Sequence, residues 1–266
     1  MTIITETQLR SMLGRGVPNP FPLMEGERLT PAARDFLKDR NISVQQMAGN
    51  QSLSRKSVAN SQGHSRMTIP AGVSNRHVHL SPEHVSILFG EGFSLTSLRF
   101  LTQPGQFACN ETLTLLGPSG SIENVRILGP ARGLTQVEVS ITDGYKLGVH
   151  PKVRLSGDIQ GTPGITLVGP AGMVKLTEGL IAARNHVHMA PSDASRFRVK
   201  NGETLILRTM GERSVIYQNV AVRVSDRFML DFHLDTDEGN AAAVKTGDLF
   251  EVIGRNQSFF TNRLGR

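Results

Sequence analysis

The sequence of 266 residues contains one cysteine, no tryptophan and two tyrosines. The single cysteine, Cys109, excludes a disulfide framework and a thiolate-rich zinc site. Since 5% of the residues are aromatic, the core is expected to be aliphatic. No apolar run reaches the roughly 20 residues that a membrane-spanning helix needs, and the N-terminus lacks the basic start and apolar stretch of a secretory signal. These features predict a soluble cytosolic protein without a membrane partner.

Acidic residues are the minority: 23 Asp and Glu stand against 29 Lys and Arg, a formal net charge of +6. Such an excess favours polyanionic ligands, either nucleic acid or a small molecule such as a nucleotide or coenzyme A. The arginines are spread singly and no stacking aromatics accompany them, which argues against nucleic acid. A phosphate-bearing small molecule is the better match to this composition.

The composition changes along the chain and divides it into four segments. Residues 1–44 predict two short helices joined by a Gly- and Pro-rich loop, a helical N-terminal extension. Residues 45–68 are polar, a composition that predicts a linker. Beyond it, short alternating runs broken by Gly and Pro predict closely spaced strands, as in barrels. We therefore predict a mainly β fold of two similar β-barrel domains with short helices, at residues 69–180 and 181–266.

An internal duplication lies within the predicted strands. VSNRHVHLSPEH at residues 73–84 recurs as AARNHVHMAPSDA at residues 182–194. Each copy predicts a strand, a His-Val-His pair and a helix that proline opens. Corresponding edges of duplicated domains usually face one another, so the two barrels are expected to meet at the paired histidines.

Each His-Val-His pair is suited to chelating a metal ion, because residues i and i+2 of a strand point to the same face. Without thiolates, imidazole and carboxylate ligands favour zinc, although cobalt, nickel, manganese or iron could substitute. The pattern leaves the further ligands open. His233 could be a ligand or could bond to Asp231 or Asp235, and Glu138 could be a ligand or an exposed strand residue.

Arg132 lies in a turn that Gly129, Pro130 and Gly133 shape. Its guanidinium could hold phosphate through a bidentate fork. A solvated loop arginine is equally compatible with this stretch.

Six motifs appear in order between residues 69 and 253: SNRHVHLS, QPGQFACNETLTLLGP, LGPARGLTQVEVSITD, SGDIQGTPGITLVGP, RNHVHM and FHLDTDEGNAA. Together they resemble the PduL-type phosphate acyltransferases, the phosphotransacylases of bacterial microcompartments. The resemblance implies two β-barrel domains, two zinc ions per chain, and transfer of a short acyl group, usually propanoyl, between coenzyme A and inorganic phosphate.

The resemblance also implies roles for individual residues. One zinc ion would be bound by His77, His79 and Glu138, and the other by His186, His188 and His233. Arg132 would hold the phosphate, with Ser156 in its neighbourhood. Contacts with coenzyme A would fall on Ser74, Arg99, Arg126, Leu128, His233 and Asn240. One departure is Asn185, which separates Arg184 from His186 where the family usually has Arg-His-x-His, and it leaves any role of Arg184 open.

The N-terminal extension resembles segments on other microcompartment enzymes, including ethanolamine-type cobalamin adenosyltransferases. This resemblance implies an encapsulation signal for shell or cargo proteins, and a location in the bacterial cytoplasm inside a microcompartment. The positions expected to dock on such a partner are Leu9, Met12, Leu13, Ala33, Phe36 and Leu37. The alternative is that these residues pack on the barrels as a third layer. A homo-oligomer is compatible with the sequence.

The sequence therefore predicts a dizinc phosphotransacylase that interconverts acyl-CoA and phosphate with acyl phosphate and coenzyme A. Two alternatives stay open: a zinc-dependent hydrolase of thioesters or phosphoesters, and a non-catalytic scaffold whose zinc ions staple two barrels. Three protein ligands per ion leave one coordination position open, which favours catalysis over the closed sites of structural zinc.

Overall fold

The computed structural model describes residues 2–12, 17–24, 27–40, 42–47 and 67–260. The chain divides into two compact units, Met1–Gln62 and Gly63–Arg266. None of the described helices is long and apolar enough to cross a membrane. Residues 48–66 of the predicted polar linker lie outside the described residues. The prediction is wrong at residues 45–47, because they lie in a strand, Val44–Met47, that pairs with Phe21–Met24.

The N-terminal unit combines two helices with four short strands. The helices are α1 (Glu6–Met12) and α2 (Pro31–Lys38), and the strands are β1 (Thr2–Ile4), β2 (Phe21–Met24), β3 (Glu27–Leu29) and β4 (Val44–Met47). Strand β1 pairs parallel with β3, and β2 with β4. Thr30 caps α2 by accepting the Ala33 N–H at 3.2 Å. The sequence predicted both helices but missed the strands, which are too short to show an alternating pattern.

Apolar residues of this unit pack on one another in a small core. Its buried members are Leu9, Phe21, Ala33, Phe36 and Leu37. The prediction that helical positions such as Leu9 and Phe36 dock on a partner is therefore wrong, because those side chains are buried within the unit itself. The Met12 side chain and Leu13 lie outside the described residues.

The larger unit is mainly β, as predicted. Its first sheet has nine strands: β6 (His77–His79), β7 (Ser97–Phe100), β8 (Phe107–Leu116), β9 (Ser121–Gly129), β10 (Gln136–Glu138), β11 (Lys152–Arg154), β12 (Thr166–Val168), β13 (Met173–Lys175) and β14 (Leu180–Ala183). Its second sheet has seven: β5 (Thr68–Ser74), β15 (His186–Met189), β16 (Thr204–Thr209), β17 (Ile216–Val224), β18 (Asp231–Asp235), β19 (Leu249–Arg255) and β20 (Ser258–Phe259). The helices of this unit are α3 (Pro82–Phe89), α4 (Ile141–Leu147), α5 (Pro191–Phe197) and α6 (Thr236–Ala242).

Six strands of the second sheet close a barrel. Their order is β16-β17-β15-β18-β5-β19, and β16 pairs with β19 to complete the ring. The described pairings of the nine-stranded sheet form a path, β11-β14-β10-β6-β9-β8-β12-β13, with β7 on β8. Each sheet encloses a core of mainly aliphatic side chains, such as Val78 and Ile127 in the first and Val187 and Leu205 in the second.

The strands around the two His-Val-His pairs are arranged alike. Strand β6 pairs parallel with β9 and antiparallel with β10, while β15 pairs parallel with β17 and antiparallel with β18. A helix with a capping box follows both β10 and β18. The first turns of these helices touch, since the Thr142 N–H donates to Asp237 Oδ2 at 2.9 Å. This correspondence is compatible with the predicted duplication.

Each half of the larger unit contributes one strand to the other sheet. Strand β14 comes directly before the second His-Val-His pair but pairs parallel with β10 of the first sheet. Strand β5 comes directly before the first pair but pairs parallel with β18 of the second sheet. The chain therefore crosses between the sheets beside each histidine pair. The division at residue 180 stays a prediction, because the sheets do not follow chain order at these strands.

Candidate active site

The first candidate metal set consists of His77, His79 and Glu138. Strand β6 directs both imidazoles to one face, and the antiparallel register sets Glu138 of β10 opposite His77. His77 Nε2 lies 3.4 Å from Glu138 Oε2, and His79 Nε2 lies 3.9 Å from Glu138 Oε1. All three side chains are buried. Burial excludes the alternative that Glu138 is an exposed strand residue.

The second candidate set consists of His186, His188 and His233. The register of β15 and β18 sets His186 opposite His233. The ring centroid of His188 lies 4.7 Å from that of His186 and 4.6 Å from that of His233. Within each set, one ligand atom per residue lies within 4.8 Å of the others, close enough to converge on a single ion.

Unpaired nitrogens in the second set provide a test of whether a metal ion fits. His188 Nδ1, His188 Nε2 and His233 Nε2 are buried and have no hydrogen-bond partner within the part of the chain that the structure describes. His233 Nε2 lies 3.3 Å from Asp231 Oδ2, but this contact does not have hydrogen-bond geometry. Buried polar atoms without partners are costly. A coordinated ion would satisfy them, so the residues fit a metal.

The first histidine of each set has the same fixed tautomer. His77 Nδ1 is 2.8 Å from the Asn75 carbonyl, and His186 Nδ1 is 2.8 Å from the Arg184 carbonyl. Because a carbonyl only accepts, Nδ1 must carry the proton in both rings. Nε2 then presents its lone pair to the cavity, as in metal sites where a second hydrogen bond orients the ligand.

The local electrostatics favour the metal-binding forms of His79, His186, His188 and Glu138, whereas the adjacent Glu138 raises the pKa of His77 against the effect of burial. Burial, together with the charge that His233 would carry, lowers the pKa of His186 to about 4 and of His188 to about 2. Burial also lowers the pKa of His79 to about 3. Although burial opposes charge on Glu138, the adjacent His77 and His79 hold the pKa of this carboxyl well below its usual range. Neutral imidazole and carboxylate are the ligand forms that zinc requires.

Both metal sets line one cavity of about 460 Å³. The cavity is also lined by four of the six residues that the resemblance assigned to coenzyme A: Ser74, Arg99, Leu128 and His233. Arg126 and Asn240 are not among the described residues that line it. Arg126 donates to the carbonyls of Cys109 and Asn110 at 2.9 and 2.8 Å, and Asn240 is exposed on α6.

Arg132 lines the same cavity and is linked to the first metal set by hydrogen bonds. Its Nη2 donates to Ser156 Oγ at 3.3 Å, and Gln136 Nε2 donates both to Ser156 Oγ at 2.9 Å and to Glu138 Oε1 at 2.6 Å. Burial lowers the pKa of Arg132, but a guanidinium stays charged in proteins. The predicted phosphate-holding residue and its Ser156 neighbour are thus brought together beside a metal ligand.

Two cavity residues, Arg223 and Phe228, were missed by the sequence analysis. Arg223 on β17 lies in register with His188, and its side chain has no hydrogen bond or ion pair to any residue that the structure describes. The Phe228 ring stacks on the His188 ring. Neither residue carries a local sequence signal, because both reach the cavity through strand pairing and a turn.

The departure at Asn185 has a structural explanation. At the corresponding position in the first repeat, Arg76 forms a bidentate ion pair with Asp143 of α4, with distances of 2.8 and 2.7 Å. Asn185 instead donates to Glu238 of α6 at 2.6 Å. Asp143 and Glu238 hold equivalent capping-box positions. A hydrogen bond from a neutral amide thus replaces an ion pair, and the histidines after it keep their places.

The family model and the known proteins that are similar to this chain carry the same description. The family model described as phosphate propanoyltransferase matches residues 70–245. Proteins named phosphate propanoyltransferase from Thermotoga maritima, Priestia megaterium and Clostridioides difficile are 52%, 55% and 46% identical to it. The alignments cover 70%, 68% and 70% of this chain and 89%, 83% and 88% of those proteins. The N-terminal unit precedes the residues that the family model matches.

Proposed function

The chain belongs to the phosphate propanoyltransferase family, a family of acyltransferases, and from this premise we propose that it transfers a propanoyl group between coenzyme A and inorganic phosphate. The products from propanoyl-CoA and phosphate are propanoyl phosphate and free coenzyme A. The observation that carries the proposal is the shared cavity, where two three-ligand sets lie beside Arg132. Open three-ligand sets are typical of catalytic rather than structural zinc.

Two zinc ions are the proposed cofactors, one held by His77, His79 and Glu138 and one by His186, His188 and His233. Bound zinc would supply Lewis-acid polarisation of the thioester carbonyl and stabilisation of the departing thiolate. The chain itself supplies rigid strand pairs, a fixed tautomer on His77 and His186, and three imidazoles whose pKa burial lowers, those of His79, His186 and His188.

Arg132 is proposed to bind and orient the phosphate. Its planar guanidinium offers two parallel N–H donors to two phosphate oxygens, and Ser156 supports the fork from the side of the first metal set. A phosphate oxygen attacks the thioester carbonyl carbon, the C–O bond forms, the C–S bond breaks, and coenzyme A leaves as its thiolate. Holding propanoyl-CoA and phosphate in one cavity lowers the entropic part of the barrier by roughly several kcal/mol.

The transfer needs no covalent acyl-enzyme. Burial raises the pKa of the Cys109 thiol to about 11, so this thiol stays protonated and is a poor nucleophile at neutral pH. Coenzyme A is proposed to bind along Ser74, Arg99, Leu128 and His233, which line the cavity. Contacts with Arg126 and Asn240 stay part of the proposal although neither lines it.

Phosphate dependence distinguishes this reaction from the alternatives. Propanoyl-CoA incubated with the protein and phosphate should release coenzyme A and form an acyl phosphate that hydroxylamine traps. A hydrolase would release coenzyme A and propanoate equally well without phosphate, and a zinc-stapled scaffold would release neither. Acetyl-CoA should also react, because one methylene in an apolar pocket is worth roughly 1–3 kcal/mol.

For the N-terminal unit we propose the encapsulation role that its resemblance implied, with a microcompartment in the bacterial cytoplasm as the location. The unit has a small core of its own, and it precedes the residues that the family model matches. Since its buried apolar residues are unavailable, shell or cargo proteins would contact its outer surface.

Deleting residues 1–66 should leave zinc content and turnover within about twofold of the full-length protein, since every proposed ligand and substrate contact lies beyond residue 66. The same deletion should abolish co-purification with microcompartment shells. Turnover, elemental analysis and shell co-purification of both forms check these results. Loss of turnover together with thermal stability would instead assign the unit to the enzyme's own structure.

A further inference from the structure

His188 differs from the first histidine of each set in how its ring is held. The Nδ1 atoms of His77 and His186 each bond to a backbone carbonyl at 2.8 Å. Neither nitrogen of His188 has a hydrogen-bond partner among the described residues. Metal-binding histidines are usually oriented by a hydrogen bond on the nitrogen that does not bind the ion. Another contact must therefore set the orientation of this ring.

The closest aromatic contact of His188 is Phe228. Their ring centroids lie 4.1 Å apart and their planes are inclined by 23°, a stacked arrangement. Phe228 is half-buried in the turn that follows β17, where its N–H donates to the Ser225 carbonyl at 3.0 Å. Contact with the flat face of Phe228 restricts rotation of the His188 imidazole. No hydrogen bond from a described residue restricts it.

A side chain from the opposite sheet forms hydrogen bonds to the turn that carries Phe228. Gln103 lies in the turn between β7 and β8 of the nine-stranded sheet and is 3% exposed. Its Nε2 donates to the Met229 carbonyl at 3.1 Å, and its Oε1 accepts the Met229 N–H at 3.2 Å. Both polar groups of the amide are thus used on the residue next to Phe228.

We propose that Gln103 is a positioning residue that, through Met229 and Phe228, fixes the orientation of His188 as a metal ligand. The inference rests on the proposed function only in that the second set binds zinc. It assigns to a residue of the first sheet a role in the metal set of the second. The Gln103–Met229 contact thus joins the two sheets beside the cavity and affects the orientation of a metal ligand.

Zinc affinity, measured by chelator competition in the absence of substrates, tests the proposal one site at a time. The His77→Ala protein should retain zinc in the second set, and the His186→Ala protein in the first. Adding Gln103→Ala should weaken zinc retention about tenfold in the His77→Ala protein and leave it unchanged in the His186→Ala protein. Gln218→Ala is the matched control, because Gln218 is exposed on β17 and outside the cavity lining.

Substitutions of Phe228 test the contact between the Phe228 ring and His188, through which Gln103 is proposed to act. Phe228→Leu keeps apolar bulk without a flat ring and should reproduce the effect of Gln103→Ala, whereas Phe228→Tyr keeps the stacked ring and should retain zinc normally. Equal zinc loss in both histidine backgrounds, or none in either, would overturn the proposal. Because no acyl substrate is used, a failed transferase assay on the wild-type protein would leave this result standing and would count against the proposed function alone.

Discussion

Replacing His77 or His186 with alanine is expected to remove one zinc ion per chain and to reduce transfer of the propanoyl group at least about 100-fold. Each residue is the first histidine of its set, with Nδ1 fixed by a carbonyl and Nε2 left as the nitrogen that would bind the ion. A set reduced to two ligands binds zinc much more weakly. Even the loss of a hydrogen bond that orients a ligand typically lowers metal affinity or activity about 10–100-fold.

Elemental analysis and turnover of the same preparations check this expectation. His150→Ala is the matched control, because His150 is exposed and belongs to neither set. It should keep two zinc ions and full activity. A metal-free wild-type protein that is fully active would refute the dizinc proposal, and so would a His186→Ala protein with two bound ions.

Replacing Arg132 with alanine is expected to reduce kcat/KM for phosphate by about 10–100-fold, with a small effect on the KM for propanoyl-CoA. A hydrogen bond to a charged group contributes about 1.5–3 kcal/mol, and about 1.4 kcal/mol corresponds to a factor of ten. The effect falls on phosphate because the guanidinium lies beside Ser156 and the first metal set within the cavity.

Arg132→Lys should recover only part of the lost activity, since an ammonium group keeps the charge but cannot form the two parallel bonds of the fork. Steady-state kinetics with each substrate varied in turn separate the two effects. Arg227→Ala serves as the control, because Arg227 is exposed and outside the cavity lining. An unchanged KM for phosphate with undiminished turnover would remove Arg132 from the proposed phosphate site.

Features that depend on residues close together in the chain could be predicted from the sequence. The two His-Val-His pairs share a face because side chains alternate along any strand, and this holds before tertiary structure forms. Thr30 and the prolines that open α2, α3 and α5 act within one helical turn. The resemblance to a family added the third ligands, Glu138 and His233, which pattern alone left undecided.

The apolar positions of the N-terminal unit show where reasoning from periodicity reaches its limit. Leu9 and Phe36 have the spacing of a buried helix face, but spacing does not say what covers that face. In the structure they cover each other, together with Phe21 from a strand that the sequence did not predict. For this reason, the residues that were expected to dock on a partner form the core of the unit instead.

The two histidine pairs, the aliphatic strands around them and the turn that carries Arg132 could be predicted from the sequence, because each depends on bonds within a few residues. Tertiary packing was needed to bury Glu138 opposite His77, to join β5 and β14 to the opposite sheets, and to bring Gln103 to Met229. These arrangements depend on strand register and on contacts between residues far apart in the chain, which are selected by burying both cores at once.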